Sequence, residues 1–381
     1  MKIVADENIP FVKECFSAIG EVTTVGGRAI TRQVVADADV LLVRSITQVN
    51  EALLKNSSVR FVATATIGME HVDQDYLASA GIGFASAPGC NANSVAEYIV
   101  AALLALGRKH KIELAGRRIG IVGVGNVGGK VEKKTAALGM RPVLNDPPLA
   151  RQTGDPKYQP LEAVYDCDFV TMHTPLTREG LDKTHHLADD AFFNALREGC
   201  FFINTSRGSV VDTPALKRAL LSGRLGGAVL DVWENEPNID GELILKADLS
   251  TPHIAGYSFD GKVLGLIMVY RAVCEHFGIG VQHEAADFLP EPPVPLIRID
   301  APVEDQQAAI HDAVQQVYVI NRDDFNTREI LLVAPDQRGK FFDDLRKHYP
   351  TRREFQNTGV QGVDADDALG RKLAGIGFNI A

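Results

Sequence analysis

The chain has 381 residues, more than one ordinary core holds, and its 45% hydrophobic and 23% charged residues are typical of a globular protein. The 39 lysines and arginines against 49 aspartates and glutamates give a net charge of −10, which argues against nucleic acid as a partner. Five cysteines without CxxC spacing argue against a disulfide framework or a metal site. The most apolar stretch, SVAEYIVAALLALG, is too short for a membrane span, and MKIVADENIP is no secretory signal, so we expect a cytoplasmic protein.

Short β-rich runs alternate with helical ones from the first residues onward. This alternation predicts βαβ units around a parallel sheet within residues 1–90. A long helix over 91–107 follows, and then a second series of strands alternates with helices until another long helix begins near residue 259. The predicted strands of the two series lie at 2–5, 22–25, 39–43, 60–63 and 82–86, and at 118–122, 141–145, 168–172, 200–204, 226–230 and 249–251.

The proline cluster LPEPPVP, residues 289–295, predicts a domain boundary. Beyond it, EDQQAAIHDAVQQVY and GKFFDDLRKHY have amphipathic helical patterns, and REILLVA (328–334) has the pattern of a strand. We therefore expect a small C-terminal α+β domain.

The stretch GRRIGIVGVGNVGGK, residues 116–130, has the G-x-G-x-x-G spacing of a dinucleotide-binding turn between a strand and a helix. The first glycine permits the tight turn, the second lets the backbone approach a pyrophosphate, and the third lets the helix pack on the strand. The first two helical amides would bind the pyrophosphate. The candidate residues are Gly123, Gly125, Asn126, Val127 and Gly128.

An acidic residue, Asp146, follows the next predicted strand in RPVLNDPP. A carboxylate at this point accepts hydrogen bonds from ribose hydroxyls and repels a 2′-phosphate, so the sequence predicts NAD rather than NADP as the cofactor. A glycine turn with an ordinary strand-end aspartate is the simpler alternative.

Three further predicted strands end in residues suited to oxidation of an alcohol. FFINTSRGSVVD provides Arg207, which can bind a carboxylate bidentately, and AVLDVWENEP provides Asp231 and Glu236. LSTPHIAGYS provides His253, which can accept a proton near neutral pH. Ligands of doubly wound sheets bind at the carboxyl ends of the strands, so these side chains are expected to share a site with the cofactor.

In these motifs the sequence resembles the D-isomer-specific 2-hydroxyacid dehydrogenases: GIVGVGNVG, HTPLT, NTSRG, DVWENEP and TPHIAG occur in the family's order. The resemblance covers about residues 1–285. It implies two Rossmann-like, doubly wound parallel-sheet lobes with a cleft between them. The expected domains are a substrate-binding lobe (1–92 and 256–285), an NAD-binding domain (93–255) and a C-terminal dimerisation domain (286–381).

The resemblance also implies roles for individual residues. Arg207 would bind substrate, Glu236 would pair with the histidine, and His253 would be the general acid/base. The residues expected to contact the cofactor, besides the glycine turn and Asp146, are Thr174, Thr205, Ser206, Asp231 and Gly256. Those expected to bind substrate, besides Arg207, are Arg44, Ser45, Thr66, Ile67, Gly68 and Tyr257.

The expected substrate is a phosphorylated 2-hydroxy acid. The resemblance within that family, carried by Arg44 and Ser45 in LVRSIT, Tyr257 in HIAGYSFDGK and the C-terminal domain, implies 4-phospho-D-erythronate as the substrate, oxidised at C2 in pyridoxal phosphate biosynthesis by a homodimer. The alternatives are another D-2-hydroxy acid such as 3-phosphoglycerate, and an NAD(H)-sensing binding protein. The basic stretch LRKHYPTRRE (345–354) has the pattern of a solvated helix face, with contact to a partner subunit's anionic site as the alternative.

Overall fold

The computed structural model describes residues 1–300 and 302–380, and these form two compact units. One unit contains Met1–Asn91 and Ser258–Glu291, and the other contains Ala92–Tyr257 and the chain from Pro292 onward. In the described residues, no helix combines the length and the apolar character needed to cross a bilayer.

The first unit is a five-stranded parallel sheet in the order β2-β1-β3-β4-β5. Apolar side chains on both faces bury the central strands completely, which is typical of a parallel sheet covered by helices. Its elements are β1 (Lys2–Asp6), α1 (Val12–Phe16), β2 (Glu21–Val25), α2 (Arg32–Val35), β3 (Val40–Val43), α3 (Glu51–Leu54), β4 (Phe61–Thr64), α4 (Gln74–Ser79) and β5 (Gly83–Ala85).

The second unit begins with α5 (Ala92–His110), which leads into a six-stranded parallel sheet in the order β11-β10-β9-β8-β6-β7. Helices follow the strands as the alternation predicts. The elements are β6 (Arg118–Val122), α6 (Asn126–Ala137), β7 (Arg141–Asn145), α7 (Pro147–Thr153), β8 (Phe169–Met172), α8 (Asp190–Ala195), β9 (Cys200–Asn204), α9 (Thr213–Leu221), β10 (Leu225–Leu230), α10 (Gly241–Lys246) and β11 (Leu249–Ser250).

The chain then returns to the first unit through α11 (Phe259–Phe277). Ser258 caps this helix by accepting a hydrogen bond from the Gly261 amide at 2.9 Å, and Gly278 ends it at φ +65°. The predicted fold class, two doubly wound parallel sheets and a smaller C-terminal domain, is confirmed.

In its described residues, the C-terminal segment carries a three-stranded parallel sheet, β12-β13-β14, and four α-helices. The elements are β12 (Leu296–Arg298), α12 (Gln306–Val317), α13 (Ile320–Arg328), α14 (Arg338–Lys347), β13 (Gly359–Gln361), α15 (Ala368–Ile376) and β14 (Asn379–Ile380). The strand predicted in REILLVA is wrong: Glu329–Leu332 is a turn of 3₁₀ helix. Ile330 is buried there, whereas Leu332 is 86% exposed, so this apolar run does not enter a sheet.

The C-terminal segment shares a hydrophobic core with the rest of its unit. Ile310 and Leu373 belong to the same buried cluster as Ile99 and Leu103 of α5. Because α5 is covered on several sides, nearly all its residues from Ala92 to Gly107 are buried, polar ones included. The expectation of a separate dimerisation domain at 286–381 stays a prediction.

Candidate active site

The six strands of the sheet β11-β10-β9-β8-β6-β7 end at the same edge of that sheet. Register pairs join the final residue of each strand to the final residue of its neighbour, so whatever follows each strand lies along a single edge of the sheet. These final residues are Val122, Asn145, Met172, Asn204, Leu230 and Ser250. Every predicted site residue between 123 and 257 follows one of these ends, so the topology brings that group together.

The glycine turn after β6 is formed as the sequence predicts, but its three glycines serve different purposes. Gly123 has φ +88°, and a Cβ there would lie 2.8 Å from the His173 carbonyl carbon. A Cβ on Gly128 would overlap the carbonyl oxygen of Gly123. At Gly125, by contrast, a Cβ would meet no protein atom within 4 Å. The fold requires the first and third glycines, while the second leaves open the space that a pyrophosphate would occupy.

Asp146, after β7, is fixed by the turn it faces. Its Oδ2 accepts a hydrogen bond from the Val124 amide at 2.8 Å, and its Oδ1 accepts from the Leu149 amide at 2.9 Å, capping α7. Each carboxylate oxygen keeps a further lone pair for a ligand hydroxyl. Thr174, after β8, has a buried Oγ1 with no hydrogen-bond partner in the described residues. Both observations fit a nucleotide cofactor.

His173, beside Thr174, is held by two threonines. Its Nε2 lies 3.0 Å from Thr171 Oγ1, and its Nδ1 lies 3.3 Å from Thr205 Oγ1. Burial lowers the pKa of His173 to about 3, so the ring stays neutral at physiological pH. This histidine is therefore suited to a pocket wall and not to proton transfer.

The segment after β9 turns sharply at Asn204. The side-chain oxygen of Asn204 accepts from both the amide (3.0 Å) and the hydroxyl (2.8 Å) of Ser206, and its Nδ2 donates to the Arg207 carbonyl at 3.1 Å. The residue after Arg207 must be glycine, since a Cβ on Gly208 would overlap the Trp233 carbonyl. The half-buried Arg207 thus lies on a segment packed directly against the loop that carries Glu236.

Glu236 and His253 form a hydrogen-bonded pair, with Nδ1 and Oε2 separated by 2.8 Å. Oε1 of Glu236 accepts from the Trp233 amide at 2.8 Å, which fixes the carboxylate. Burial alone would raise the pKa of Glu236, but the charge and hydrogen bond of His253, the Trp233 amide and the Arg346 guanidinium outweigh it and lower the pKa. Because an ionised carboxylate only accepts, Nδ1 carries the proton toward it, and Nε2 of neutral His253 is an acceptor.

Asp231 fixes the backbone of the segment that carries His253 through hydrogen bonds. Its carbonyl accepts from the His253 amide at 2.7 Å, and its carboxylate accepts from the amides of Ile254 (2.8 Å) and Ala255 (3.0 Å) and from Thr251 Oγ1 (2.6 Å). His253 has φ +58°, an uncommon backbone conformation for a residue with a side chain. These hydrogen bonds stabilise that conformation; contact of Asp231 with the cofactor stays a prediction.

The predicted substrate-binding residues of the first unit follow two paired strands, β3 and β4, whose last residues are in register. Arg44 donates from Nη1 to the Asn8 carbonyl at 3.1 Å. Thr66 Oγ1 lies 2.7 Å from Thr64 Oγ1 and donates to the Gly68 carbonyl at 3.1 Å, closing the 66–68 turn. Ser45 and Ile67 lie in the same two loops. The predicted cleft between these residues and those of the second unit stays a prediction.

The sequence did not indicate that two arginines of the basic stretch LRKHYPTRRE (345–354) are buried. The prediction of a solvated helix face is wrong for Arg352 and Arg353, which are each 5% exposed and lie beyond the end of α14. Arg352 lies over the Tyr318 ring at 4.3 Å, and its Nη2 donates to the Ala255 carbonyl at 2.6 Å. It therefore contacts the loop that follows the histidine.

Known proteins resemble the chain along its whole length. Residues 102–255 match the family model described as D-isomer specific 2-hydroxyacid dehydrogenase, NAD binding domain, and residues 288–377 match a domain of unknown function (DUF3410). A protein of Hahella chejuensis named erythronate-4-phosphate dehydrogenase is 42% identical over 381 residues, all of both chains. One of the same name from Salinibacter ruber is 46% identical over 95% of this chain and 94% of its own.

Solved structures share the fold. A Thermus thermophilus protein superposes with a TM-score of 0.65 at 26% identity, covering 74% of this chain and 99% of its own. The D-lactate dehydrogenase of Aquifex aeolicus, solved with NAD and lactic acid, gives a TM-score of 0.58 at 25% identity, covering 73% and 96%. The chain is an NAD-dependent oxidoreductase, and it belongs to the erythronate-4-phosphate dehydrogenase family within the D-isomer-specific 2-hydroxyacid dehydrogenases.

Proposed function

We propose that this chain oxidises 4-phospho-D-erythronate at C2 to (R)-3-hydroxy-2-oxo-4-phosphooxybutanoate, with NAD, as a step of pyridoxal phosphate synthesis. The observation that carries the proposal is the Glu236–His253 pair at 2.8 Å, on the same line of strand ends as Arg207. Full-length relatives bearing the corresponding name support the choice of substrate.

The cofactor would be held at the carboxyl ends of β6, β7 and β8. The amides of Asn126 and Val127 at the start of α6 would bind the pyrophosphate, in the space that Gly125 leaves open. Asp146 would accept the ribose hydroxyls, and Thr174 would supply a hydroxyl that has no protein partner in the described residues. When bound, NAD supplies the hydride acceptor that the protein lacks.

Proton removal falls to His253. With Nδ1–H donated to Glu236, Nε2 would accept the proton of the substrate C2 hydroxyl, and the carboxylate would stabilise the resulting imidazolium. Arg207 would bind the substrate carboxylate and stabilise the developing carbonyl next to it. Ser206 and Asn204 hold this arginine's segment, so both groups are fixed before substrate arrives.

The substrate carries a carboxylate and a phosphate, whereas the chain has a net charge of −10. Cationic side chains at the site must therefore outweigh the electrostatic repulsion between the negatively charged protein and this anionic substrate. We assign this task to Arg207 and, in the first unit, to Arg44, with the 66–68 amides binding the carboxylate and Tyr257 contacting the substrate.

Two further features of the protein are proposals. A homodimer through the C-terminal domain is supported by two apolar side chains that this domain exposes, Phe325 at 64% and Leu332 at 86%. Light scattering of wild-type protein and of a Phe325→Asp variant tests the homodimer: the wild type should be dimeric and the variant should dissociate more readily.

A cytoplasmic location is supported by five buried cysteines that all remain thiols.

A screen of phosphorylated and unphosphorylated 2-hydroxy acids with purified protein and NAD, followed by NADH absorbance, tests the function. We expect the highest kcat/KM with 4-phospho-D-erythronate. A higher value with 3-phosphoglycerate would refute the substrate. NAD binding without turnover of any 2-hydroxy acid would refute the enzymatic function and favour a sensing protein.

A further inference from the structure

Arg346, on the last turn of α14, lies beside two residues of the candidate site. Its guanidinium carbon is 5.8 Å from the ring centre of Tyr257 and equally far from that of Phe342. It also lies close enough to Glu236 to lower the pKa of that carboxyl. A cation from the C-terminal segment is therefore a neighbour of the carboxylate that binds His253.

The surroundings of Arg346 do not use its hydrogen-bonding capacity fully. Oδ1 of Asp343 is 3.9 Å from Nη1, beyond hydrogen-bond distance. Its buried Nε has no hydrogen-bond partner in the part of the chain that the structure describes. An unsatisfied buried donor is destabilising, so this Nε–H is a group that a ligand oxygen could satisfy. The side chain nevertheless remains 27% exposed, so a ligand can reach it.

A second arginine fixes the C-terminal segment to the same loop. Arg352 donates from Nη2 to the Ala255 carbonyl at 2.6 Å and also bonds the Ser94 side chain at the start of α5. Tyr349, between the two arginines, packs edge-on against Tyr257 at 5.8 Å between ring centres. The segment that carries Arg346 is thus held against the loop that follows His253.

The chemistry of the substrate favours such a group. Arg207 and the 66–68 amides are assigned to the carboxylate end, and a doubly charged phosphate in an acidic chain can use a further cation besides Arg44. A guanidinium matches phosphate geometry with two parallel hydrogen bonds, which a tyrosine hydroxyl can supplement. The solved relatives of the fold leave about a quarter of this chain without a counterpart, since they cover 74% and 73% of it.

We propose that Arg346 is a specificity-determining residue that binds the phosphate group of the substrate next to Tyr257. This inference rests on the proposed function and deepens it: the C-terminal segment contributes directly to the choice of a phosphorylated 2-hydroxy acid over its unphosphorylated form.

The test compares kcat/KM for 4-phospho-D-erythronate and for D-erythronate in wild type, Arg346→Met and Arg346→Lys. The matched control is Lys347→Met, which removes an exposed positive charge from the next position of the same helix. We expect Arg346→Met to lose at least about 10-fold in kcat/KM on the phosphorylated acid, mainly through KM, because a hydrogen-bonded charge pair is lost. On D-erythronate the loss should be clearly smaller, so the ratio of the two kcat/KM values falls. The control should keep the wild-type ratio.

The arginine-to-lysine variant covers the case in which Arg346→Met does not fold, since it retains the charge and loses only the fork. Its preference for the phosphorylated acid should fall to an intermediate value. Equal losses on both acids, or an unchanged preference in both variants, would overturn the assignment of Arg346. Failure of the wild type to oxidise 4-phospho-D-erythronate would instead refute the proposed function, so the two failures are distinguishable.

Discussion

Replacing Gly125 by alanine tests whether the glycine turn serves a cofactor and not only the fold. A Cβ at Gly125 meets no protein atom within 4 Å, and the backbone has φ −72° and ψ −147°, at the margin of the conformations that alanine adopts. Alanine's poorer capping and this ψ should together cost about 1–2 kcal/mol of stability. The added methyl group would also block the approach of a pyrophosphate to the amides of Asn126 and Val127.

Losing one or two charge-assisted hydrogen bonds at about 1.5 kcal/mol each raises the Kd for NAD by about 10- to 100-fold. Titration calorimetry measures this Kd, and thermal unfolding measures stability. Gly129→Ala is the matched control, since its Cβ would meet only the Val124 carbonyl at an ordinary 3.8 Å and should leave the Kd unchanged. Gly128→Ala should instead destabilise the fold, by about 1–3 kcal/mol, because its Cβ overlaps backbone. Wild-type affinity in Gly125→Ala would refute the reasoning.

Three further changes test the roles of the strand-end residues. Arg207→Lys should lose about 100-fold or more in kcat/KM while NAD affinity stays the same, because an ammonium cannot form the bidentate fork; near-normal turnover would contradict the role. Glu236→Gln should lower kcat by about 10²–10⁴-fold by removing the anion that orients His253, and a variant as active as wild type would exclude that pairing from catalysis. The pKa of Glu236 is lowered from 4.5, so its ionised carboxylate stabilises the fold above pH 4.5. Urea unfolding at a series of pH values should show that the wild type loses this stabilisation as the pH falls through the lowered pKa. The Glu236→Gln variant should not show this loss. Asp146→Ala should cost about 1 kcal/mol in thermal unfolding, since the Val124 and Leu149 amides lose their acceptors, and should weaken NAD relative to NADP; an unchanged preference would remove Asp146 from cofactor selection.

The sequence predicts much of the site because its motifs are local and the sheet is regular. Nearly continuous apolar runs such as CFFIN, Cys200–Asn204, predict buried parallel strands when they alternate with helices. Parallel strands in register place their following residues on one edge, so Arg207, Asp231 and His253 could be grouped from the order of elements alone.

The C-terminal segment was harder to predict because its structure depends on distant partners. Its strands are only two or three residues long, which is too short for a periodic pattern. The run REILLVA has the composition of a strand, but only part of its apolar surface is buried in the core. The buried charge of Arg352 is explained by acceptors on Ser94 and Ala255, 258 and 97 positions away. No local pattern indicates such pairings.

Buried charges hold the C-terminal segment to α5 and α6. Glu97 accepts from the Phe355 amide at 3.1 Å and from Asn93 at 3.0 Å, and Lys134 lies 3.7 Å from its carboxylate and donates to the Ile376 carbonyl. Burial raises the pKa of Glu97, and the positive charge of Lys134 opposes that shift. Removing Lys134 would leave the buried carboxyl without this partner and so destabilise the junction.

Locating the carbonyl in the product tests the central claim most directly. Purified protein is incubated with NAD and carbon-13-labelled 4-phospho-D-erythronate, and the product is identified by carbon-13 NMR alongside the amount of NADH formed. The account predicts one carbonyl at C2 per NADH, with the phosphate ester intact, and no such product from a His253→Asn variant. A carbonyl at C3, loss of the phosphate, or equal product from the variant would contradict it.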